Sequence, residues 1–235
     1  MRRPAHWSSS NPPSVSRSLQ MVVRFRECGS SMLSIAVFGS GRGSTFRAIL
    51  DAIHAGNLPG VSIALVVSNN SDAGILSFAR ESGLPTLHCS QKQFADEAAF
   101  SRALLETLQA HGIKAIVLAG YMKKLPQALI TAYRRRILNI HPALLPRFGG
   151  KGMYGIHVHE AVLAAGETES GATVHLVDEE YDHGEVILQR RVPVLPIDTP
   201  QTLAARVLEV EHQLYPEALR QVAGAWSFAN SERNT

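Results

Sequence analysis

Short apolar runs that alternate with segments of helical periodicity are the feature that most constrains the fold of this chain. The first run is Ile35–Phe38, and comparable runs follow at 63–67, 113–119 and 137–140. Runs this short and this apolar are typical of strands buried on both faces of a sheet. Because the strands alternate with helices, the sequence predicts an α/β fold with a doubly wound, mostly parallel, Rossmann-like sheet.

The pattern changes towards the carboxyl end of the chain. Residues 172–177 alternate as a strand does, residues 178–184 form an acid-rich loop, and a second strand is predicted from 185 to 194. Two strands joined by such a loop predict a C-terminal antiparallel hairpin. A last helix is predicted for 200–222.

The chain of 235 residues is long enough for one domain with a sizeable core. We expect this domain at 33–225, followed by a polar tail at 226–235. Residues 1–32 are rich in Ser, Arg and Pro and poor in acids, so we expect a disordered extension. Its composition is typical of an organellar transit peptide, but also of upstream sequence included by a wrong start choice, with Met32 as the alternative start.

The net charge of +3 belongs to that extension. Residues 1–32 carry five arginines and one glutamate, a balance of +4, which leaves −1 for the rest of the chain. A nearly neutral body gives no electrostatic reason to expect a nucleic-acid partner. No apolar run approaches the ~18 residues of a membrane span, and Cys28 and Cys89 are too few for a disulfide framework. We therefore expect no membrane partner and a cytoplasmic location, with an organelle as the alternative.

A glycine-rich turn joins the first strand to the first helix. It reads Gly39-Ser40-Gly41-Arg42-Gly43-Ser44-Thr45, and the backbone N–H groups of such a turn bind anions, usually phosphate. Ser44 or Thr45 is expected to cap the helix. The spacing lacks the third glycine of a dinucleotide fingerprint, and the second strand ends in residues 68–70 without an acid, which counts against NAD or ATP. The alternative is a tight turn that needs glycine only for its backbone conformation.

The strand at 137–140 carries polar residues at its end. Period-2 alternation places Asn139 and His141 on one face, and Pro142 ends the strand. An amide and an imidazole in this position can stabilise an oxyanion and move a proton, although a buried amide and a strand-capping histidine are the plain alternative. If the acid-rich loop folds back, Asp182 would couple its titration to that of His141.

Metal binding is not expected. His157 and His159 lie two residues apart on a predicted helix and therefore face different sides of it. The other histidines show no metal-ligand spacing.

These motifs resemble the formyltetrahydrofolate-dependent formyltransferase family. The resemblance is carried by Asn139–Pro146, by Thr173 and His175, and by the loop at 178–184. The resemblance is strongest to the branch that formylates glycinamide ribonucleotide in purine synthesis. This narrower resemblance is carried by Gly43-Ser44-Thr45 and by the segments 118–122 and 211–216. It extends over roughly residues 33–225.

The resemblance implies one-carbon transfer from the co-substrate 10-formyltetrahydrofolate to the amine of glycinamide ribonucleotide, by a monomer or homodimer without a metal. It assigns catalysis to Asn139, His141 and Asp182. The implied substrate-binding residues are Gly43, Ser44 and Thr45 for the phosphate and Glu211 for the ribose. The implied folate-binding residues are Met122, Lys123, Lys124, Leu125, Asn139, Asp178, Glu179, Glu180, Tyr181 and Asp182.

Three positions depart from the family pattern. His183 stands where glycine is usual, Lys123-Lys124 replaces an arginine followed by an apolar residue, and Glu97 lies near the place of a folate-binding arginine. These departures affect the loop at 178–184 and the expected contacts of the folate tail. None of them replaces one of the three catalytic residues.

Other functions remain open. Formyltetrahydrofolate deformylase would be expected to carry a regulatory domain before the core, and methionyl-tRNA formyltransferase a nucleic-acid-binding domain after it. A nucleotide-binding oxidoreductase fits the fold but not the glycine spacing. A non-catalytic binding module would not need Asn139, His141 and Asp182 together.

Overall fold

One sheet of seven strands organises the computed structural model, which describes residues 32–228. The expectations for residues 1–31 and 229–235 lie outside the described residues. The strands are β1 (Leu33–Phe38), β2 (Val61–Ser68), β3 (Thr86–His88), β4 (Ala115–Leu118), β5 (Ile137–His141), β6 (Glu169–Leu176) and β7 (Val186–Pro193).

The strand order is β3-β2-β1-β4-β5-β6-β7. The strands β1 to β5 pair in parallel, whereas β6 is antiparallel to β5 and β7 is antiparallel to β6. This confirms the predicted mostly parallel sheet and its C-terminal antiparallel hairpin. In the pairing of β5 with β6, Asn139 lies opposite His175 and His141 lies opposite Thr173.

Helices cover both faces of the sheet, as a doubly wound fold requires. They are α1 (Ser44–His54), α2 (Gly74–Glu81), α3 (Glu97–Ala110), α4 (Gln127–Ala132), α5 (Ile156–Ala164) and α6 (Pro200–Phe228). Alternate residues of β1 separate two cores. Ile35 and Val37 pack with α1, α2, α5 and α6, and Ala36 and Phe38 pack with α3 and α4. No helix within residues 32–228 is long and apolar enough to cross a membrane.

Two helix ends differ from the sequence expectation. Neither Ser44 nor Thr45 caps α1: the cap is Gly43, in the left-handed conformation with φ 82°, and no side chain bonds there. Ser44 is itself the first residue of the helix, so neither it nor Thr45 occupies the capping position that precedes the helix. At the other end of the chain, α6 continues through 226–228, the first residues of the predicted tail, and Trp226 packs into the core at 8% exposure.

The strand order reverses between β1 and β4, which is where open α/β sheets bind ligands, beyond the carboxyl ends of their strands. Helix α6 is fixed beside this point by the buried Tyr215. Its hydroxyl lies 2.9 Å from the carbonyl oxygens of both Leu118, the last residue of β4, and Leu138, within β5. The long last helix can therefore present side chains to a ligand site at the carboxyl edge.

Candidate active site

A cleft of about 950 Å³ opens at this edge of the sheet. Every residue to which the sequence assigned a role lines it. The residues are Gly43, Ser44, Thr45, Met122, Lys123, Lys124, Leu125, Asn139, His141, Asp178, Glu179, Glu180, Tyr181, Asp182 and Glu211. The volume is within the range typical of small-molecule sites. The loops after β1, β4 and β6, the strand β5 and the helix α6 thus meet around one space.

Asn139 is held by a histidine whose contribution the sequence did not assign. Asn139 Nδ2 donates to His175 Nε2 at 3.1 Å, and His175 Nδ1 donates to the carbonyl oxygen of Leu176 at 2.9 Å. The second bond leaves Nε2 of a neutral imidazole as an acceptor, which fixes the amide orientation of Asn139. An amide nitrogen carries two hydrogens, so the other one can bind a ligand oxygen.

His141 is buried, with 3% of its surface exposed. Its Nε2 donates to the carbonyl oxygen of Phe148 at 2.7 Å, and its Nδ1 lies 3.4 Å from Asp182 Oδ2. The same carboxylate oxygen accepts the N–H of Gly150 at 3.0 Å, and Oδ1 lies 3.6 Å from His175 Nε2. Asp182 therefore lies between two imidazoles, one on each of the strands β5 and β6.

Burial and neighbouring groups together set the ligand-free charges of this pair. Burial lowers the pKa of His141 and outweighs the opposing effects of the Asp182 charge and the Phe148 carbonyl. Burial raises the pKa of Asp182, but the nearby His175, the charge of His141 and the hydrogen bond from the Gly150 N–H lower it by more, so the net shift is downward. The favoured state at neutral pH is an anionic Asp182 beside a neutral His141. Their separation of 3.4 Å, long for a charge-assisted bond, agrees with this.

The backbone brings Asp182 to this place through an uncommon conformation. Its φ is 56°, in the left-handed region, which Asp and Asn adopt more readily than most residues. Gly149 makes the approach possible, because a Cβ there would lie 3.1 Å from the Cβ of Asp182 and 2.5 Å from Leu145 Cδ2. Sequence periodicity contains no signal for either feature.

His159 is a further cleft residue that the sequence reasoning did not assign. As predicted, it faces another side of α5 than His157: it is 4% exposed, while the side chain of His157 is 57% exposed. Among residues 32–228 its Nδ1 finds no hydrogen-bond partner, and burial lowers its pKa to about 4. His159 is therefore neutral at physiological pH.

The start of α1 has the arrangement of backbone N–H groups that binds anions at helix N-termini in general. Its first helical hydrogen bond runs from Arg47 N to Gly43 O, so the N–H groups before it have no helical partner. Gly43 is needed here for two reasons: its φ is 82°, and a Cβ would lie 2.9 Å from the Cα of Ile75. These N–H groups line the cleft together with the hydroxyl-bearing Ser44 and Thr45.

Two loops line the opposite part of the cleft. Residues 122–125 follow β4, residues 178–182 follow β6, and Lys124 Nζ lies 5.4 Å from the ring centroid of Tyr181. Of the three departures from the family pattern, only Lys123-Lys124 lines the cleft. His183 is exposed, with its Nδ1 3.3 Å from Asp178 Oδ2, and Glu97 lies in the first turn of α3.

Glu211 reaches the cleft from α6. Within residues 32–228 its carboxylate makes no hydrogen bond or ion pair, and burial raises its pKa to about 7. Ligand hydroxyl groups that donate to the carboxylate would favour its charged form. Also within the described range, no three His, Cys, Asp or Glu side chains are grouped so that they could hold a metal ion.

Glu211→Gln is expected to stabilise the protein at high pH and not at low pH. The pKa is raised in the folded state, so the protonated carboxyl fits the fold, and the stability that it provides is lost as pH rises from about 4.5 through about 7. Allowing for partial exposure, we expect a gain of about 1–2 kcal/mol near pH 8 and none near pH 4. Unfolding by urea at both pH values measures it.

The exposed Glu209, two residues earlier on the same helix, is the matched control. Glu209→Gln makes the same charge change without burial, so its effect on stability is expected to stay within about 0.5 kcal/mol at both pH values. Equal stability of Glu211→Gln and the parent protein at both pH values would contradict the burial of this carboxyl group.

Comparison with known proteins agrees with this geometry. Residues 33–219 match the formyl transferase family. The chain is 38% identical over 189 residues to the phosphoribosylglycinamide formyltransferase of Haemophilus influenzae, covering 80% of this chain and 86% of the relative. It is 46% identical over 185 residues to the chloroplastic phosphoribosylglycinamide formyltransferase of Vigna unguiculata, covering 79% of this chain. It spans only 59% of that plant relative's length, and 63% of the Arabidopsis thaliana one.

Solved structures show the same likeness. Glycinamide ribonucleotide transformylase 1 from Symbiobacterium toebii has a TM-score of 0.77 and 41% identity, covering 83% of this chain and 89% of that one. A formyltetrahydrofolate deformylase from Pseudomonas syringae has a TM-score of 0.72 at 26% identity, covering 81% and 61%. The cleft residues described above all lie within the matched range.

Proposed function

This chain belongs to the formyl transferase family, and we propose that it transfers a formyl group from 10-formyltetrahydrofolate to the amino group of glycinamide ribonucleotide. One observation carries the proposal: a single cleft joins an anion-binding helix start to the buried cluster of Asn139, His141 and Asp182. A phosphorylated amine and a formyl donor need these two features side by side.

The two ligands occupy different parts of the cleft in this proposal. The phosphate of glycinamide ribonucleotide binds Gly43, Ser44 and Thr45 at the start of α1, and its ribose hydroxyls donate to Glu211. The folate binds between the loops at 122–125 and 178–182, with Asn139 between the two ligands. Met122 supplies exposed apolar surface, and Leu125 in the same loop is a buried apolar residue that also lines the cleft.

In the proposed reaction, negative charge develops on an oxygen atom that hydrogen-bond donors of the protein can reach. The amine attacks the formyl carbon, and the carbonyl oxygen becomes an oxyanion. Asn139 donates its second amide N–H to that oxygen, and the Nε2–H of His141 turns to it from the Phe148 carbonyl, which is the weaker acceptor. The negative charge on the oxygen raises the pKa of His141 and favours the imidazolium.

One proton must move from the attacking amine to the departing folate nitrogen. Asp182, which is anionic in the ligand-free protein, accepts it directly or through a water and shares it with His141 Nδ1. The carbon–nitrogen bond to the folate then breaks, and its nitrogen takes the proton. The products are tetrahydrofolate and the formylated ribonucleotide.

A direct assay tests the proposal. Purified protein is mixed with 10-formyltetrahydrofolate, with and without glycinamide ribonucleotide, and tetrahydrofolate and formate are measured. We expect tetrahydrofolate only when the ribonucleotide is present. Equal consumption of the folate in its absence, with release of formate, would instead identify a deformylase, in which water replaces the amine at the same residues.

The remaining expectations extend this proposal. We propose one catalytic domain at 33–225 that acts without a metal, as a monomer or homodimer in the cytoplasm. The plant relatives are named chloroplastic, so an organelle is the alternative location. Microscopy of the tagged full-length chain in its source cells distinguishes the two.

Gly43→Ala is expected to raise the KM for glycinamide ribonucleotide and to leave folate binding nearly unchanged. The added Cβ strains a backbone with φ 82° and meets Ile75, so the N–H groups at the start of α1 shift. Losing one or two charge-assisted hydrogen bonds corresponds to about 10- to 100-fold in KM. Steady-state kinetics in each substrate measure it, with melting temperature as the test of folding.

Gly41 offers the matched control in the same loop. Its φ is ordinary and a Cβ there meets nothing within 4 Å, so Gly41→Ala is expected to change the KM much less. A Gly43→Ala protein that is folded and loses both ligands equally would overturn the phosphate assignment.

A further inference from the structure

We propose that Ser40 is a positioning residue, which holds the phosphate-binding and folate-binding loops at the separation that formyl transfer requires. This inference rests on the proposed function. The serine takes no part in the chemistry as proposed above, and the sequence pattern assigns it no role.

Every polar group of Ser40 bonds to the protein. The residue is 9% exposed, its backbone N–H donates to Gly120 O at 3.0 Å, and its hydroxyl oxygen accepts the N–H of Met122 at 2.8 Å. Its hydroxyl hydrogen goes to Asn69 Oδ1 at 2.5 Å, and its carbonyl oxygen accepts from Asn70 Nδ2 at 2.7 Å. The hydroxyl is a donor and an acceptor at the same time, which an alanine cannot replace.

These bonds form a closed ring with the two asparagines. Ser40 donates to Asn69, Asn69 Nδ2 donates to Asn70 Oδ1 at 2.8 Å, and Asn70 returns to the carbonyl oxygen of Ser40. Asn70 N also donates to Ser68 Oγ at 3.1 Å, which joins the ring to the end of β2. Partly shielded polar networks that satisfy all members are rigid.

The position of Ser40 in the fold connects this hydrogen-bonded ring to the two ligand-binding loops. It follows β1 at the reversal of strand order, three residues before Gly43, while Gly120 and Met122 follow the adjacent strand β4. One side of Ser40 therefore leads into the phosphate loop, and the other side holds the first residues of the folate loop. The two asparagines after β2 hydrogen-bond to Ser40 and so help to hold both loops in place.

Formyl transfer is sensitive to this separation because each reacting atom is carried by a different ligand. The amine is placed by the phosphate loop and the formyl carbon by the folate loop. A displacement of about 1 Å between reacting groups can cost about 10² in rate. Loosening Ser40 should thus lower the rate of the bound complex more than it weakens either ligand alone.

The test compares kcat with binding. In Ser40→Ala we expect kcat, with both substrates saturating, to fall about 10- to 100-fold. The Kd values of glycinamide ribonucleotide alone and of tetrahydrofolate alone, measured by calorimetry, should change by less than about threefold, which is well under 1 kcal/mol. Asn69→Ala removes the same bond from its other side, so it should lower kcat in the same way. The double variant should lose less in kcat than the two single losses combined, because both single variants remove the bond between Ser40 and Asn69.

Ser101→Ala is the matched control. Ser101 is also a buried serine, but its hydroxyl donates to Glu97 O within α3, away from the cleft. Its kcat should equal that of the parent protein. An unchanged kcat in folded Ser40→Ala and Asn69→Ala overturns the proposal, and so does a loss of affinity for one ligand as large as the loss in kcat. A parent protein without transfer activity would instead overturn the proposed function.

Discussion

His141→Asn is expected to lower kcat/KM by about 10²–10⁴ and to flatten its dependence on pH. Asparagine is polar but shorter than histidine: its amide nitrogen overlies Nδ1 and does not reach the position of Nε2, so the oxyanion donor is lost as well. It also cannot take up a proton, and the coupled pair that His141 forms with Asp182 at 3.4 Å is lost. Rates measured from about pH 5 to about pH 9 should therefore lack the limb that reports the imidazole.

Asn139→Ala separates the two tasks of this strand end. It removes a donor that does not titrate, so the rate should fall by about 10²–10³ while the pH profile keeps its shape. An unchanged rate and profile in His141→Asn would leave that histidine as a strand-end residue without a part in the reaction.

Much of this site could be predicted from local pattern. The period of two in a strand places Asn139 and His141 on one face whatever the rest of the chain does. The glycines after β1 and the apolar runs of the parallel strands are likewise local signals, which is why the fold class was predicted correctly. The structure adds that strand pairing extends through His141 itself.

What could not be predicted depends on register and on tertiary burial. The alternation of β6 predicted a polar face with Thr173 and His175, but only the pairing with β5 places His175 opposite Asn139. The six-residue helix α4 is too short to show a period. The sequence predicts that the titration of His141 is coupled to that of Asp182, but burial, a property of the whole fold, decides the direction of its pKa shift.

The expected cap of α1 failed for a local reason. Ser44 and Thr45 have the right chemistry for a cap, but a cap must precede the helix with a non-helical backbone. The left-handed Gly43 takes that position, because its φ of 82° turns the chain directly into the first turn. Ser44 and Thr45 are therefore helical, and they line the cleft instead of capping the helix.

Asp182→Asn is expected to lower kcat by about 10²–10³ and to move the limb that reports His141 to lower pH. The charge of Asp182 raises the pKa of His141 against the effect of burial, so removing the charge lets burial lower that pKa further. At neutral pH less imidazolium then forms as the oxyanion develops, and the variant also lacks the base that receives the amine proton. The shift of the limb distinguishes this charge effect from a simple loss of structure.

Asparagine is the right substitution because the backbone at this position is left-handed, with φ 56°, and Asn tolerates that conformation as Asp does. It also keeps an oxygen to accept the N–H of Gly150, which now lies 3.0 Å from Oδ2. Asp182→Ala loses both and adds backbone strain, so it should lower the melting temperature as well as the rate. If Asp182→Asn keeps its melting temperature and its rate falls without any movement of the limb, the carboxylate acts only as the base, and the pKa of His141 does not depend on its charge.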